Sequence, residues 1–462
     1  MPEISAMVAE LVDRLGDRVV VRGDLDRVRD LLTDESLHAS PGLPACVVVP
    51  TSTREVSEVV ACVAQHGGTI VPRGSGTGLS GAAVATEGAV VVSFAAMNAV
   101  LEVDVEDRVA VVQPGVTLAE LDEALAGTHL FYPVFPGESS ASLGGNVNTN
   151  AGGMRAVRHG VTRNHILGLE VVLASGEVLR TGGRFSKSSS GYDLTQLIVG
   201  SEGTLGLVTE VTVRLSHRLP LASTTLIPFP SLEAVCAAVP AVDIGGVAPS
   251  ILEYLDFITM DSIASAAGVQ LAIDAEVKAS AMAYLIVVLE AEDEADLERR
   301  TTRLAEVVEP LGGLDLYVLE PRAGAELIEA RERAFYVAKA AGADDIIDAV
   351  VPRTQIPTLL TRAAGLAAQA GALMTGCGHA GDGNVHLSVF CPDDEARSQL
   401  LGHLFAETVS LGGAVSGEHG LGVEKRAYHD ALVDPLRGTL EDRIKAAFDP
   451  EGVLRPIRPR EE

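Results

Sequence analysis

Directly after Ser52-Thr53-Arg54-Glu55, apolar side chains recur at Val56, Val59, Val60 and Val63. That spacing lays one apolar stripe along a helix whose first turn carries a capping box, and Gly67-Gly68 stops it. The signature returns at Thr117-Leu118-Ala119-Glu120, which predicts a second capped helix. Short β-branched runs predict strands at Leu43 to Pro50, Thr69 to Val71 and Ala89 to Ser93. Residues 1–40 read as an amphipathic helical lead-in, and from 89 to about 215 short strands alternate with glycine-rich loops. Beyond Pro228-Phe229-Pro230, which reads as a boundary, the strand-like run Tyr284 to Leu289 precedes the charged amphipathic stretch Asp293 to Val308. A second domain therefore begins near residue 221. The fold class is α+β with much loop, and no internal repeat stands out.

A chain of 462 residues holds two or three substantial cores. Its 35 basic against 63 acidic residues leave a net charge of −28, which repels a phosphate backbone and excludes nucleic acid as a partner. Cys46, Cys62, Cys236, Cys377 and Cys391 are odd in number and widely spaced, so neither a disulfide framework nor an iron–sulfur cluster is expected, and a reducing cytoplasm fits. No apolar run approaches the ~20 residues of a membrane span, and the first thirty residues lack a signal core. The expectation is a soluble cytoplasmic protein, attached to a membrane only through a partner.

Candidate chemistry begins at Pro72-Arg73-Gly74-Ser75-Gly76-Thr77-Gly78-Leu79-Ser80-Gly81, a glycine loop after a strand whose backbone N–H groups can turn toward one anion such as a pyrophosphate. Gly76 to Gly81 also satisfies the letters of the dinucleotide G-x-G-x-x-G pattern. The spacing excludes a Rossmann unit, because Ala89 to Ser93 follows too soon for an intervening crossover helix. A second polar, glycine-rich stretch spans 139–153 and a third spans 199–206; such stretches are expensive to order unless a large polar ligand satisfies them.

These three blocks, in this order, resemble the FAD-binding domain of the vanillyl-alcohol oxidase superfamily, also called PCMH-type, over about residues 40–220. The resemblance implies a two-part FAD-binding domain over 1–220. It implies FAD contacts from Pro72, Arg73, Gly74, Ser75, Gly76, Thr77, Gly78 and Ser80 in the first block. In the second they are Pro136, Gly137, Ser139, Ser142, Gly144, Gly145, Asn148, Asn150, Ala151 and Gly153, and in the third Glu202, Gly206 and Val208. Thr77 stands where some members attach the flavin through a histidine, so noncovalent FAD is implied.

In the second half, His379-Ala380-Gly381-Asp382-Gly383-Asn384-Val385-His386 sets two imidazoles around a turn, and Glu418-His419 follows between Gly417 and Gly420. Two imidazoles and a carboxylate are a common first shell for zinc or manganese with positions left for substrate. With the flavin blocks, these stretches resemble the D-lactate, glycolate and D-2-hydroxyglutarate dehydrogenase group over nearly the whole chain. The resemblance implies an antiparallel-sheet, ferredoxin-like substrate domain over 221–430 and a C-terminal segment, 431–462, returning toward the FAD domain. It implies His379, His386 and Glu418 as metal ligands, His419 as catalytic base and Arg353, at the end of the run Ile346 to Val350, as the clamp on a substrate carboxylate. Arg331 matches a family arginine less securely, and its role stays open.

The expected activity is oxidation of a small (R)-2-hydroxy acid to the 2-oxo acid. With no cysteine cluster in the chain, the electron acceptor is external: a quinone, a cytochrome, an electron-transfer flavoprotein or an iron–sulfur subunit. A homodimer is compatible with the pattern. Two rival readings are a non-redox FAD-dependent alkyl transferase of the same superfamily and a flavin-free metal hydrolase.

Overall fold

The computed structural model describes residues 2–271 and 273–458. Ser52 accepts from Glu55 N to cap the helix Thr53–Gln65, whose Val56, Val59, Val60 and Val63 are buried as the spacing predicts. Thr117 and Glu120 close the reciprocal capping box on Leu118–Ala124. The lead-in departs from a single helix. Only Pro2–Leu15 is α-helical, and after a turn Val19–Val21 pairs antiparallel with Cys46–Val48, because a run of three valines gains more on a sheet edge than in a helix.

Cys46–Val48, Val90–Ser93 and Ile70–Arg73 continue this first sheet in parallel. Its valines do not alternate with polar residues because both faces are covered. Val48, Val90 and Val92 pack under the helix Thr53–Gln65, while Val47 and Val91 face Leu25. Between Arg73 and Val90 the chain forms the glycine loop and turns without a helix, as the spacing argument requires.

A second, antiparallel sheet runs Val100–Asp104, Val109–Val112, Leu207–Arg214, Ile166–Val172, Val178–Gly182. Val172 and Leu207 extend into the core of the first sheet and lock the two together. A third sheet of seven strands is antiparallel throughout, in the order Tyr317–Val318, Leu221–Phe229, Ala283–Ala291, Ile251–Asp256, Leu373–His379, Asn384–Phe390, Asp345–Val350. Pro228-Phe229 closes the strand Leu221–Phe229 and is not a linker; Pro228 sits opposite Tyr284. Near the C-terminus Val453 and Leu454 enter the first core, where Val453 O accepts from Ile70 N at 2.7 Å. All five cysteines are free and buried, and among the described residues no helix is long and apolar enough to cross a membrane.

Candidate active site

The glycine loop and the second polar stretch meet. Ser75 N donates to Ser142 Oγ at 3.1 Å and Ser142 N donates to Ser75 Oγ at 3.0 Å, an approach so close that a Cβ at Gly74 would strike Ser142 Oγ. Asn148 ties in the third stretch, its Oδ1 accepting from Gly203 N at 3.0 Å and its carbonyl from Glu202 N at 2.8 Å. Together they enclose a cavity walled by Pro72 to Gly78, Ser80, Pro136, Gly144, Gly145, Asn148, Ala151, Glu202, Gly206 and Val208. Among the described residues nothing accepts from the N–H groups of Gly76 to Ser80, and Asn146 Nδ2 is buried in the wall without a partner. A large polar group rich in acceptors would satisfy these donors.

Five expected flavin contacts lie elsewhere. Gly137 and Gly153 line a second cavity, and Ser139 lines an outer cleft beside Arg155 and Arg218. Ser142 caps the helix Leu143–Thr149, and Asn150, left-handed at φ 53°, ends it while accepting from Arg163 N. These two shape the wall without facing the cavity. Arg73 lies in the wall, and its guanidinium donates to the carbonyls of Asp30 and Thr33, pinning the lead-in.

At the far end of the flavin cavity stand Glu418 and His419, which also line the second cavity with His379 and His386. His379 ends one strand and His386 sits near the start of the next, joined by the turn the sequence predicts. Both Nε2 atoms point at one oxygen: His379 lies 3.1 Å and His386 3.3 Å from Glu418 Oε1. A tetrahedral ion held at ~2.0–2.2 Å by each ligand would space those atoms by roughly 3.3 Å, so the donor set fits a divalent metal. His379 Nδ1 in turn meets Glu253 Oε1 at 2.7 Å, the carboxylate–imidazole backing common at such centres.

Asp348 builds the loop that carries Glu418 and His419. Fully buried, its Oδ2 accepts from Ser416 Oγ at 2.7 Å and from the backbone N–H groups of Gly417, Glu418 and His419 at 3.0, 3.0 and 2.8 Å. Burial alone would raise its pKa, but His419, Lys425, His386 and the Asn384 amide hold it well below the usual carboxylate range. A Cβ at Gly417 would strike the Asn384 amide, so the loop can pass only as glycine. Burial, reinforced by Lys425 and His386, pushes His419 down to about 4, so its imidazole is neutral near pH 7. Ser80 Oγ donates to His419 O at 2.9 Å, and Glu202 Oε1 accepts from Leu421 N and Gly422 N, fastening the loop to the flavin blocks.

Arg353 is not brought to this site. It pairs with Asp243 on an exposed face and lines neither cavity, because it starts the short helical turn that leads away from the sheet. Arg331, whose role the sequence leaves open, is the arginine that reaches the cavity. From the last turn of the helix Pro321–Glu332 it enters the second cavity, buried, with Nη2 2.7 Å from Glu253 Oε2. That pair is close but not aligned as a hydrogen bond, leaving Nε and Nη2 of Arg331 and Oε2 of Glu253 without hydrogen-bond partners. Although burial works against it, the carboxylates of Glu253 and Glu418 keep the guanidinium charged. Glu253 and Asp348 have a visible sign in the sequence: each is an acid flanked on both sides by apolar residues, in Ile251-Leu252-Glu253-Tyr254-Leu255 and Ile346-Ile347-Asp348-Ala349-Val350.

Residues 44–182 match the family described as FAD binding domain, and residues 220–458 match FAD linked oxidases, C-terminal domain. An "uncharacterized FAD-linked oxidoreductase" of Mycobacterium tuberculosis is 49% identical over 99% of this chain and 98% of its own length. Glycolate oxidase subunit GlcD of Bacillus subtilis is 36% identical, covering 91% of this chain and 90% of its own length. The crystal structure of p-cresol methylhydroxylase with substrate bound superposes with a TM-score of 0.84 at 18% identity, over 99% of this chain and 97% of that one, so the PCMH-type fold is shared.

Proposed function

This chain belongs to the FAD-linked oxidases, and from that premise we propose that it oxidises an (R)-2-hydroxy acid to the 2-oxo acid with help from a divalent metal held by His379, His386 and Glu418. One observation carries the reading: a metal-fitting donor set and a buried arginine share the end of a cavity that adjoins the flavin cavity at Glu418 and His419. FAD supplies the two-electron acceptor and the metal supplies positive charge at the substrate hydroxyl.

Each residue then has a task. His419, neutral near pH 7, takes the hydroxyl proton, while Asp348 Oδ2, 3.9 Å from its Nδ1, favours the resulting imidazolium. Arg331 binds the substrate carboxylate and Glu253 holds it in place. The charges agree with an anionic substrate. Around the metal-fitting group the carboxylates of Glu253, Asp348 and Glu418 face the buried cations Arg331 and Lys425, and a divalent ion there would add positive charge where an anionic substrate binds. The hydride leaves carbon 2, the proton leaves oxygen, and two electrons later pass to an external acceptor: a quinone, a cytochrome, an electron-transfer flavoprotein or an iron–sulfur subunit.

We assign residues 1–220 to the flavin unit, 221–430 to the substrate and metal unit, and 431–462 to the segment returning to the first; residue 1 and residues 459–462 lie outside the described residues. FAD is held noncovalently, since Thr77 lines the cavity where an imidazole would be needed for attachment. Purified protein is tested with D-lactate, glycolate and other (R)-2-hydroxy acids against an artificial dye acceptor, with its flavin followed by absorbance. Bleaching and turnover with the (R) acids support the reading; a flavin that no 2-hydroxy acid reduces, in metal-loaded protein, refutes it.

A further inference from the structure

Resting on that reading of the site, we infer that the substrate carries an extended apolar substituent on carbon 2, and that a methyl group or a second carboxylate is the poorer fit. The second cavity, about 270 Å³, is much longer than lactate requires, and its polarity changes along its length. Its floor is one face of the third sheet. Successive rows across that face are Cys377, His386 and Asp348, then Thr375, Ser388 and Ile346, then Leu373 and Phe390. Alternation in the strand Asn384–Phe390 explains the division of labour: Val385, Leu387 and Val389 fill the core behind, so His386, Ser388 and Phe390 all face the cavity. From His386 to Phe390 at ~3.3 Å per residue the channel runs roughly 13 Å away from the metal-fitting group.

Opposite this floor stand Phe335 and Ala338 of the helix Ala334–Ala340 and Ile258 and Ile263 of Phe257–Ala267. The mouth is apolar too, with Ile258 47% and Leu373 51% exposed. Of the hydroxyls on the way, Thr259 Oγ1 lies 2.9 Å from Thr375 Oγ1, which donates to Asp256, while Ser388 and Ser262 offer neutral hydroxyls and no charge. Among the described residues lining the cavity, Arg331 is the one lysine or arginine, and it stands at the histidine end. A first carboxylate therefore has a partner. A second, at the far end of a 2-hydroxyglutarate, would be desolvated against Ile346 and Phe390 with none, whereas an alkyl chain there buries its methylenes against carbon.

The test compares kcat/KM of the metal-loaded holoenzyme, with a dye acceptor, on D-lactate, (R)-2-hydroxybutyrate, (R)-2-hydroxyhexanoate, (R)-2-hydroxyoctanoate and D-2-hydroxyglutarate. A buried methylene is worth about fourfold at most, so the three that hydroxyhexanoate adds to lactate can raise kcat/KM by up to about sixtyfold; with partial burial a gain of about tenfold is expected, and hydroxyglutarate should fall below hydroxyhexanoate by a similar margin. Dissociation constants of the corresponding 2-oxo acids, read from perturbation of the flavin spectrum, should follow the same order without turnover. Ile346→Lys places a cation midway along the channel and should raise the hydroxyglutarate-to-hydroxyhexanoate ratio at least about tenfold; if it does not fold, the wild-type series and the 2-oxo acid constants decide. A flat series, or a preference for lactate or hydroxyglutarate, overturns this inference and leaves the dehydrogenase reading standing. Failure of every 2-hydroxy acid to reduce the flavin overturns both.

Discussion

Replacing Asp348 by asparagine keeps the shape of the side chain and removes its charge from a place where one oxygen receives four donors. Those donors, Ser416 Oγ and the N–H groups of Gly417, Glu418 and His419, are what bends the loop so that Glu418 faces the histidines. Asparagine can offer them its carbonyl only by turning its amide toward Asn384 Nδ2, which now donates to Asp348 Oδ1 at 2.7 Å, and two donors would then face each other. Lys425 Nζ, buried 4.0 Å from the same carboxylate, would also lose its counter-charge. Hydrogen bonds to a charged acceptor contribute about 1.5–3 kcal/mol each, but four sharing one oxygen do not add. Breaking a buried charge network by removing one member costs about 3–5 kcal/mol, which is the expected loss of unfolding free energy. Catalysis should fall further than folding explains, because a shift of about 1 Å in Glu418 and His419 is worth on the order of a hundredfold. Urea unfolding gives the first quantity; kcat and KM on the best acid give the second, measured on protein with full flavin content. The positioning role predicts a kcat down about a hundredfold with KM little changed. A variant within threefold of wild-type kcat and within about 0.5 kcal/mol in stability would refute it.

Other consequences are as direct. Arg331→Ala should cut kcat/KM roughly thirty- to a thousandfold, the equivalent of about 2–4 kcal/mol, while Arg353→Ala, on its exposed pair with Asp243, should change it less than threefold; the reverse ranking would return Arg353 to the site. Extensive chelation should abolish turnover yet leave FAD bound, and zinc or manganese should restore the wild type but not His386→Ala, which lacks one of three ligands; full activity in enzyme shown metal-free would contradict the metal's role. Burial pushes Glu332, at the edge of the second cavity, up to about 7 from its ordinary 4.5. An acid whose folded pKa is raised stabilises the fold below the unfolded value and loses that contribution as pH rises through the folded one. The urea midpoint of the wild type should thus fall between pH 5 and 8 relative to that of Glu332→Gln, and parallel curves would remove the assignment.

Much of the fold is legible in the sequence, and the reasons are local. The Ser-x-x-Glu and Thr-x-x-Glu signatures at Ser52 and Thr117 specify helix starts within a few residues, so both helices begin where the pattern says, although the reciprocal box closes only at Thr117. The glycine loop is legible because close approach of a second segment leaves no room for a side chain, as Gly74 against the Ser142 hydroxyl shows. What pattern cannot supply is which way a side chain turns once the chain has folded. Ser142 and Asn150 belong to the right stretch and serve its backbone; Ser139, three residues before Ser142, points outward. The run Val19–Val21 is too short to have a period, and its place on a sheet depends on Cys46–Val48 lying beside it.

The two arginines show where the limit falls. Arg353 follows closely on the strand that carries Asp348, and the resemblance implies it as the clamp because it stands at the strand's end. That match to the family's strand-end arginine gives the residue and not its direction: the strand Asp345–Val350 is the last of its sheet, and the chain leaves it for the solvent side, where Arg353 meets Asp243. Arg331 lies on a helix whose charged neighbours, Glu329 and Arg333, pair with each other at the surface and give the whole segment a solvated look. Its burial follows from a residue distant in sequence: Glu253, fully buried, has one oxygen on His379 and needs a cation for the other. A carboxylate enclosed in an apolar strand must find compensation, since an unpaired buried charge costs several kcal/mol. Glu253 finds its cation on the helix that carries Arg331, and Asp348 finds its donors in the Glu418-His419 loop, neither of them along the strand that leads to Arg353. Buried acids in strands therefore mark where a site's positive groups must gather, even when the chain supplies those groups from far away.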